Sequence, residues 1–160
     1  MKKGYGCGML REAEKLAELC SKVSKAIEYP LSVKLRLHKS LEETTRIVRL
    51  LKNSGIQAIT VHGRYFWQKG EKRGDCDWLA IKKIREELPD IVVIGNGDVK
   101  CHDHIQKMID ETGVDCVMMG YYALLNPAIF QSDPVPLSQI LKDYLDIARK
   151  HQNNFVSVQR

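Results

Sequence analysis

The stretch Ile91-Val92-Val93-Ile94-Gly95-Asn96-Gly97-Asp98 decides how the rest of the chain is read. Four apolar, mostly β-branched residues predict a strand buried on both faces, and the Gly-Asn-Gly-Asp that closes it predicts a turn with unusual backbone freedom. A turn of that kind brings main-chain N–H groups close to an anion. A second apolar run, Val114 to Met119, also ends in a glycine, Gly120, and Tyr121 to Leu125 can open a helix there. Two neighbouring strand-to-helix turns with bare backbone make a candidate phosphate cradle. The plainer reading of the same residues is a pair of ordinary corners that glycine merely closes.

Outward from that stretch the alternation recurs. Met9 to Ile27 sets Leu10, Ala13, Leu16, Ala17, Cys20, Val23 and Ile27 at helical spacing, with Pro30 beyond its end. Leu31 to Leu37 reads as a strand in which Val33, Leu35 and Leu37 alternate with the cations Lys34 and Arg36. Ser40-x-x-Glu43 has the form of a capping box, followed by the buried stripe Ile47, Val48 and Leu51, which Gly55 ends. Ile56 to His62 is a third apolar segment and runs into His62-Gly63-Arg64. Asp77 can cap a helix carrying Trp78, Ile81, Ile84 and Leu88, and a last crossover helix holds Ile105, Met108, Ile109 and Thr112 with Gly113 as its stop.

Helices alternating with four strands predict an α/β fold with a parallel sheet whose polar strand ends share one rim. A full TIM (β/α)8 barrel takes about 250 residues, so a chain of 160 has material for half of one. That partial barrel is expected over residues 1–131. Residues 132–160 then supply a linker, Ser132-Asp133-Pro134-Val135-Pro136, and a helix with Leu137, Ile140, Leu141, Tyr144, Leu145 and Ala148 on one face. The polar tail from His151 to Arg160 is expected to fray.

Composition bounds the function. No window approaches the roughly 18 apolar residues of a membrane span, and Met1-Lys2-Lys3 leads into glycines rather than an apolar signal core. A cytosolic or nuclear protein without membrane contact is expected. Five cysteines (Cys7, Cys20, Cys76, Cys101, Cys116), an odd number at wide spacings, predict free thiols. Cys101-His102-x-His104 lacks a second ligand cluster, so no metal is expected. The net charge of +5 is uneven. Arg64, Lys69, Lys72 and Arg73 face a single anion, Glu71, with Tyr65, Phe66 and Trp67 among them. Cations interleaved with aromatics suit a phosphate backbone and unstacked bases, as in looped RNA, and equally suit a solvated loop whose rings pack downward.

Taken together, Gly4-Tyr5-Gly6, Ser32-Val33-Lys34-Leu35-Arg36, Thr60-Val61-His62-Gly63-Arg64, Ile94-Gly95-Asn96-Gly97-Asp98 and Val117-Met118-Met119-Gly120 with Asn126-Pro127-Ala128-Ile129-Phe130 resemble the flavin-dependent tRNA-dihydrouridine synthases. The segment from Pro136 to Ala148 looks most like the eukaryotic 20a/20b type. The resemblance implies the second half of a TIM barrel with the start of a C-terminal helical domain. It also implies FMN as cofactor, NADPH or NADH as reductant, tRNA as partner, and reduction of a D-loop uridine to 5,6-dihydrouridine.

In that picture Lys34 and His62 line the flavin ring, while Asn96, Gly97, Asp98 and Gly120 hold its phosphate. Tyr121 stands where the family commonly has arginine. Arg36 and Arg64 face flavin or RNA, and Lys69, Lys72 and Arg73 belong to the tRNA surface. The family's proton-donating cysteine lies in a Gly-Cys-Pro motif upstream of Gly-Tyr-Gly. No catalytic residue is therefore expected in this chain, and Cys7, on the other side of that landmark, is not assigned the role. An isolated half barrel is expected to be inactive and to self-associate through its open sheet edges. The alternatives are a catalytically dead remnant that binds RNA or protein, and another flavin barrel acting on a small molecule.

Overall fold

The structure is a computed structural model that describes residues 6–68 and 74–151. Lys69, Lys72, Arg73 and the tail from residue 152 lie outside them. The chain divides into two compact units, Met1–Met119 and Gly120–Arg160.

In the first unit a parallel sheet of four strands runs in the order β1 (Ser32–Leu37), β2 (Ala58–Tyr65), β3 (Val92–Asn96), β4 (Cys116–Met118). The connecting helices are α2 (Leu41–Lys52), α3 (Trp78–Glu87) and α4 (Asp103–Thr112), and α1 (Ala13–Ala26) precedes β1. Spatial order follows chain order without reversal. A doubly wound sheet reverses at a switch point, whereas sequential parallel order is that of a (β/α)8 barrel, so the unit is part of such a barrel.

The expected stops and starts have physical causes here. Ser40 Oγ accepts from the Glu43 N–H at 3.2 Å and Asp77 Oδ1 from the Ala80 N–H at 2.8 Å, each satisfying one orphan donor of a helix start. Gly113 ends α4 in the left-handed region at φ 72°. The first helix departs from the expected span. Gly6–Arg11 is a 3-10 turn, and the α-helix begins only at Ala13.

The two faces of the sheet differ. Leu35, Leu37, Ile59, Val61 and Val93 pack with Ile47, Val48 and Leu51 of α2, Ala80, Ile81 and Ile84 of α3 and Met108 of α4 in one core. A fully buried side chain of this size stabilises by about 1.5–3 kcal/mol. Gly63 and Gly95 belong to this covered face: a Cβ on Gly63 would lie 3.0 Å from Ile81 Cδ1, and one on Gly95 2.6 Å from Met108 Sδ. The alternate residues, Lys34 and Arg36, Thr60 and His62, Ile94 and Asn96, Cys116 and Met118, share the other face, where Lys34 and Cys116 are exposed. The expectation that β3 is buried on both sides is corrected, since Val92 is exposed and Ile94 half-buried.

The second unit holds α5 (Tyr121–Leu125), a 3-10 turn at Pro127–Phe130 and α6 (Leu137–Lys150). Asn126 Oδ1 accepts from the Ala128 N–H at 3.0 Å, and Pro127 follows as the first residue of its turn. On α6, Leu137, Leu141, Tyr144 and Ile147 recur at helical spacing and are exposed. Among the described residues no helix is long and apolar enough to cross a membrane.

Candidate functional site

Strand register assembles the site. Arg36 pairs with His62, His62 with Asn96 and Asn96 with Met118, which sets one residue from each strand in a row across the open face near the strand ends. Lys34 stands one pleat lower on β1 and reaches up. Its Nζ donates to Asn96 Oδ1 at 3.0 Å, and Asn96 Nδ2 donates to the Met118 carbonyl at 2.7 Å. The amide is thereby oriented from both ends. Burial of the ammonium, then the neighbouring Arg36 charge, hold the Lys34 pKa below the usual lysine value. Arg36 NH1 donates to the Gln68 carbonyl at 2.9 Å. Among the described residues neither cation pairs with a carboxylate, so the open face carries two positive charges held by neutral oxygens.

Arg64 behaves differently. Its side chain is only 4% exposed and is ion-paired with Asp98; Nε donates to the Gly74 carbonyl at 3.0 Å, and NH1 lies 3.3 Å from His62 Nε2. Asp98 Oδ2 also accepts the Cys76 N–H at 2.7 Å. Burial by itself would raise the Asp98 carboxyl, but the Arg64 guanidinium and the Cys76 N–H together hold it below the usual carboxylate range. The Cys76 thiol is pushed up to about 12, first by burial and then by the Asp98 charge, so it is a packed, protonated thiol rather than a nucleophile.

The turn after β3 is fixed from within. Asp98 has φ 57°, a conformation aspartate tolerates better than most residues, and Gly97 has φ 118°. A Cβ on Gly97 would strike Cys76 Sγ and lie 2.9 Å from His62 Cδ2, so the glycine is required by the chain's own packing. Trp78 Nε1 donates to the Gly97 carbonyl at 3.0 Å. The turn therefore sits on the His62 ring with its geometry set by Arg64, Cys76 and Trp78.

Of the residues singled out in the sequence, Lys34, Arg36, His62, Asn96, Gly97 and Asp98 come together at this rim, and Arg64 lies beneath it. Arg64, expected to face flavin or RNA, is buried and ion-paired with Asp98. Gly120 and Tyr121 belong to the second unit. Gly120 precedes α5, and the Tyr121 ring meets Tyr122 edge-on at 5.4 Å. Lys69, Lys72 and Arg73 lie outside the described residues. Gln68, Cys76 and Trp78 were not anticipated. An amide, a thiol and an indole carry no charge pattern, and the partners of Cys76 and Trp78 lie 19 to 22 residues away, while Gln68 joins Tyr65 to Arg36, 32 residues back. Among the described residues no group of three or more His, Cys, Asp or Glu is placed to hold a metal ion.

A parallel sheet backed by helices on one side, with cations and an oriented amide at the C-terminal rim of the other, defines a (β/α)8-type ligand-binding domain. Its particular kind follows from relatives. The family model for dihydrouridine synthases (Dus) matches residues 1–157, and the chain belongs to that family. It is similar to the mouse "tRNA-dihydrouridine(16/17) synthase [NAD(P)(+)]-like" protein, 32% identical over 92% of this chain and 31% of the relative. The human "tRNA-dihydrouridine(20a/20b) synthase [NAD(P)+]-like" protein is 32% identical over 92% of this chain and 46% of its own length. The Saccharomyces cerevisiae 16/17 synthase is 28% identical over 98% of this chain and 39% of its own. The chain thus spans a third to a half of the curated relatives it matches, and identity is equal to the mouse 16/17 and human 20a/20b kinds.

Proposed function

We propose that the chain is the flavin- and RNA-facing part of a tRNA-dihydrouridine synthase, with FMN on the open face of the sheet, NADPH or NADH as reductant and a uridine of the tRNA D-loop as substrate. The observation that carries this reading is the pair Lys34 and Arg36, two cations on an open sheet face whose hydrogen-bond partners among the described residues are neutral. Among the described residues Lys34 has no counter-charge, and an anionic cofactor supplies one. The donor set fits FMN: an ammonium lowered in pKa, an imidazole, an amide fixed at both ends, and a glycine turn beside them.

The chemistry a bound flavin supplies is hydride for the uracil double bond. The chain's own residues do the rest. Lys34 would hold a bound flavin through its ammonium, whose charge would favour an anionic form, and Asn96 fixes the direction of that ammonium. His62 supports the turn from below, and Arg64 and Asp98 keep that turn in one conformation. The open face admits water, so the 160-residue chain by itself does not turn over uridine. The exposed edges of β1 and β4 favour self-association. A tRNA substrate is in keeping with a cytosolic or nuclear protein.

The test is titration of the purified chain with FMN, followed by flavin fluorescence, for wild type and Lys34→Ala. Binding weakened at least about tenfold in the variant is expected, since a charge-assisted contact contributes about 1.5–3 kcal/mol. Equal affinity of the two proteins rejects the flavin site. Mixing the chain with unmodified tRNA and NADPH should yield no dihydrouridine; product formation rejects the inactivity.

A further inference from the structure

The loop after β2 carries three consecutive aromatic residues, and the structure sorts them. Phe66 packs downward: it is 8% exposed, its ring lies 5.3 Å from that of His38, and its N–H donates to the Leu37 carbonyl at 2.8 Å. Tyr65 is half-buried and stacks on Trp67, with ring centroids 4.7 Å apart and planes 21° from parallel. Trp67 is 49% exposed and takes a second, edge-on contact from Phe66 at 5.2 Å. One flat side of the indole is therefore backed by Tyr65 while much of the ring stays open.

The platform is built rather than loose. Gln68 Oε1 accepts the Tyr65 N–H at 2.6 Å, and the Gln68 N–H donates to the Tyr65 carbonyl at 3.0 Å, closing the turn that bears Trp67 twice over. The Gln68 carbonyl in turn takes Arg36 NH1, a guanidinium that pairs with no acidic group among the described residues. An indole held in place one residue from the carbonyl that Arg36 grips matches an unpaired nucleotide, whose base stacks and whose phosphate pairs.

We propose that Trp67 is a base-stacking platform for an unpaired nucleotide of RNA, with Arg36 as the neighbouring phosphate contact. The inference deepens the tRNA reading above and rests on it. The same chemistry could come from the nucleotide reductant, and the experiment separates the two sources.

The purified 160-residue chain is titrated with a uridine-rich single-stranded oligoribonucleotide, with its duplex and with NADPH. Tryptophan emission is followed in wild type, Trp67→Phe and Trp67→Ala, and binding of labelled unmodified tRNA is measured in parallel by anisotropy. The single strand is expected to quench emission in wild type, and the duplex much less. Trp67→Ala should weaken binding by roughly 5- to 100-fold, the range for loss of one base stack. Trp67→Phe should keep most of the affinity. The dependence of binding on salt should be unchanged in Trp67→Ala and shallower by about 0.7 in log–log slope in Arg36→Ala. Tight tRNA binding with Trp67→Ala equal to wild type overturns the platform and leaves the tRNA reading intact. Quenching by NADPH but not by RNA overturns the RNA assignment. Failure of the wild-type chain to bind any RNA overturns both.

Discussion

The two faces of the sheet are made from the same strands, residue by residue in alternation, yet they answer to different demands. The covered face is apolar and closed by α2, α3 and α4, and every position on it is explained by what it packs against. The open face has cations, an imidazole and an amide in register, positions that packing alone does not explain. Substitutions on the first face should therefore be read in stability, and on the second in binding.

The largest effect is expected where the two demands meet, at Arg64 and Asp98. Asp98→Ala leaves a buried guanidinium uncompensated and should lower the unfolding free energy by about 3–5 kcal/mol in urea titrations. The double variant Arg64→Met, Asp98→Ala should recover a good part of that. Equal stability of Asp98→Ala and wild type would mean the pair lies in solvent. A smaller contrast comes from Ile59→Val on the covered face, expected at about 0.5–1.5 kcal/mol. Ile94→Val, on the open face one pleat away, should cost less than half of that, and equal losses would erase the distinction between the faces. Lys34→Ala should change stability by no more than about 0.5 kcal/mol while weakening FMN binding, a split that thermal melts with and without flavin resolve.

The smallest effect is one of pH. His38 is buried with neither ring nitrogen hydrogen-bonded among the described residues, and its Nδ1 lies 3.9 Å from a Glu43 carboxylate oxygen. Burial holds its pKa below 6.5, against the opposing pull of Glu43 and with lesser help from Lys39, Arg46 and Arg11. The unfolded chain then binds the proton more readily than the folded one. Stability is full above about pH 6.5 and declines as the pH falls through it. Melting temperatures from pH 7.5 to 5.5 should show this decline, and His38→Phe should flatten it.

Much of the fold was legible because its signals are local. Period-two alternation in Val33 to Leu37, the caps at Ser40 and Asp77 and the stop at Gly113 each depend on residues within one turn of each other. The site was legible only as a set of strand ends. That Arg64 spends its charge on Asp98, 34 residues on, while Arg36 does not, is a matter of tertiary distance, and both arginines look alike in the sequence. Gly97 was singled out for a close backbone approach, and His62 and Cys76 of the chain itself make one there, which tertiary distance alone reveals. Nothing local announces the change of register after Arg36, where Leu37 pairs with Tyr65.

That change of register advances β2 past the end of β1, and the described residues beyond it are tied down. Gln68 is fixed to Tyr65 and Arg36, Gly74 takes Arg64 Nε, and a Cβ on Gly74 would lie only 2.7 Å from Gln68 Nε2. Gly74 and Gln68 are thereby in mechanical contact, so a side chain placed at Gly74 would displace the Gln68 amide that holds Tyr65 and, with it, the turn that carries Trp67.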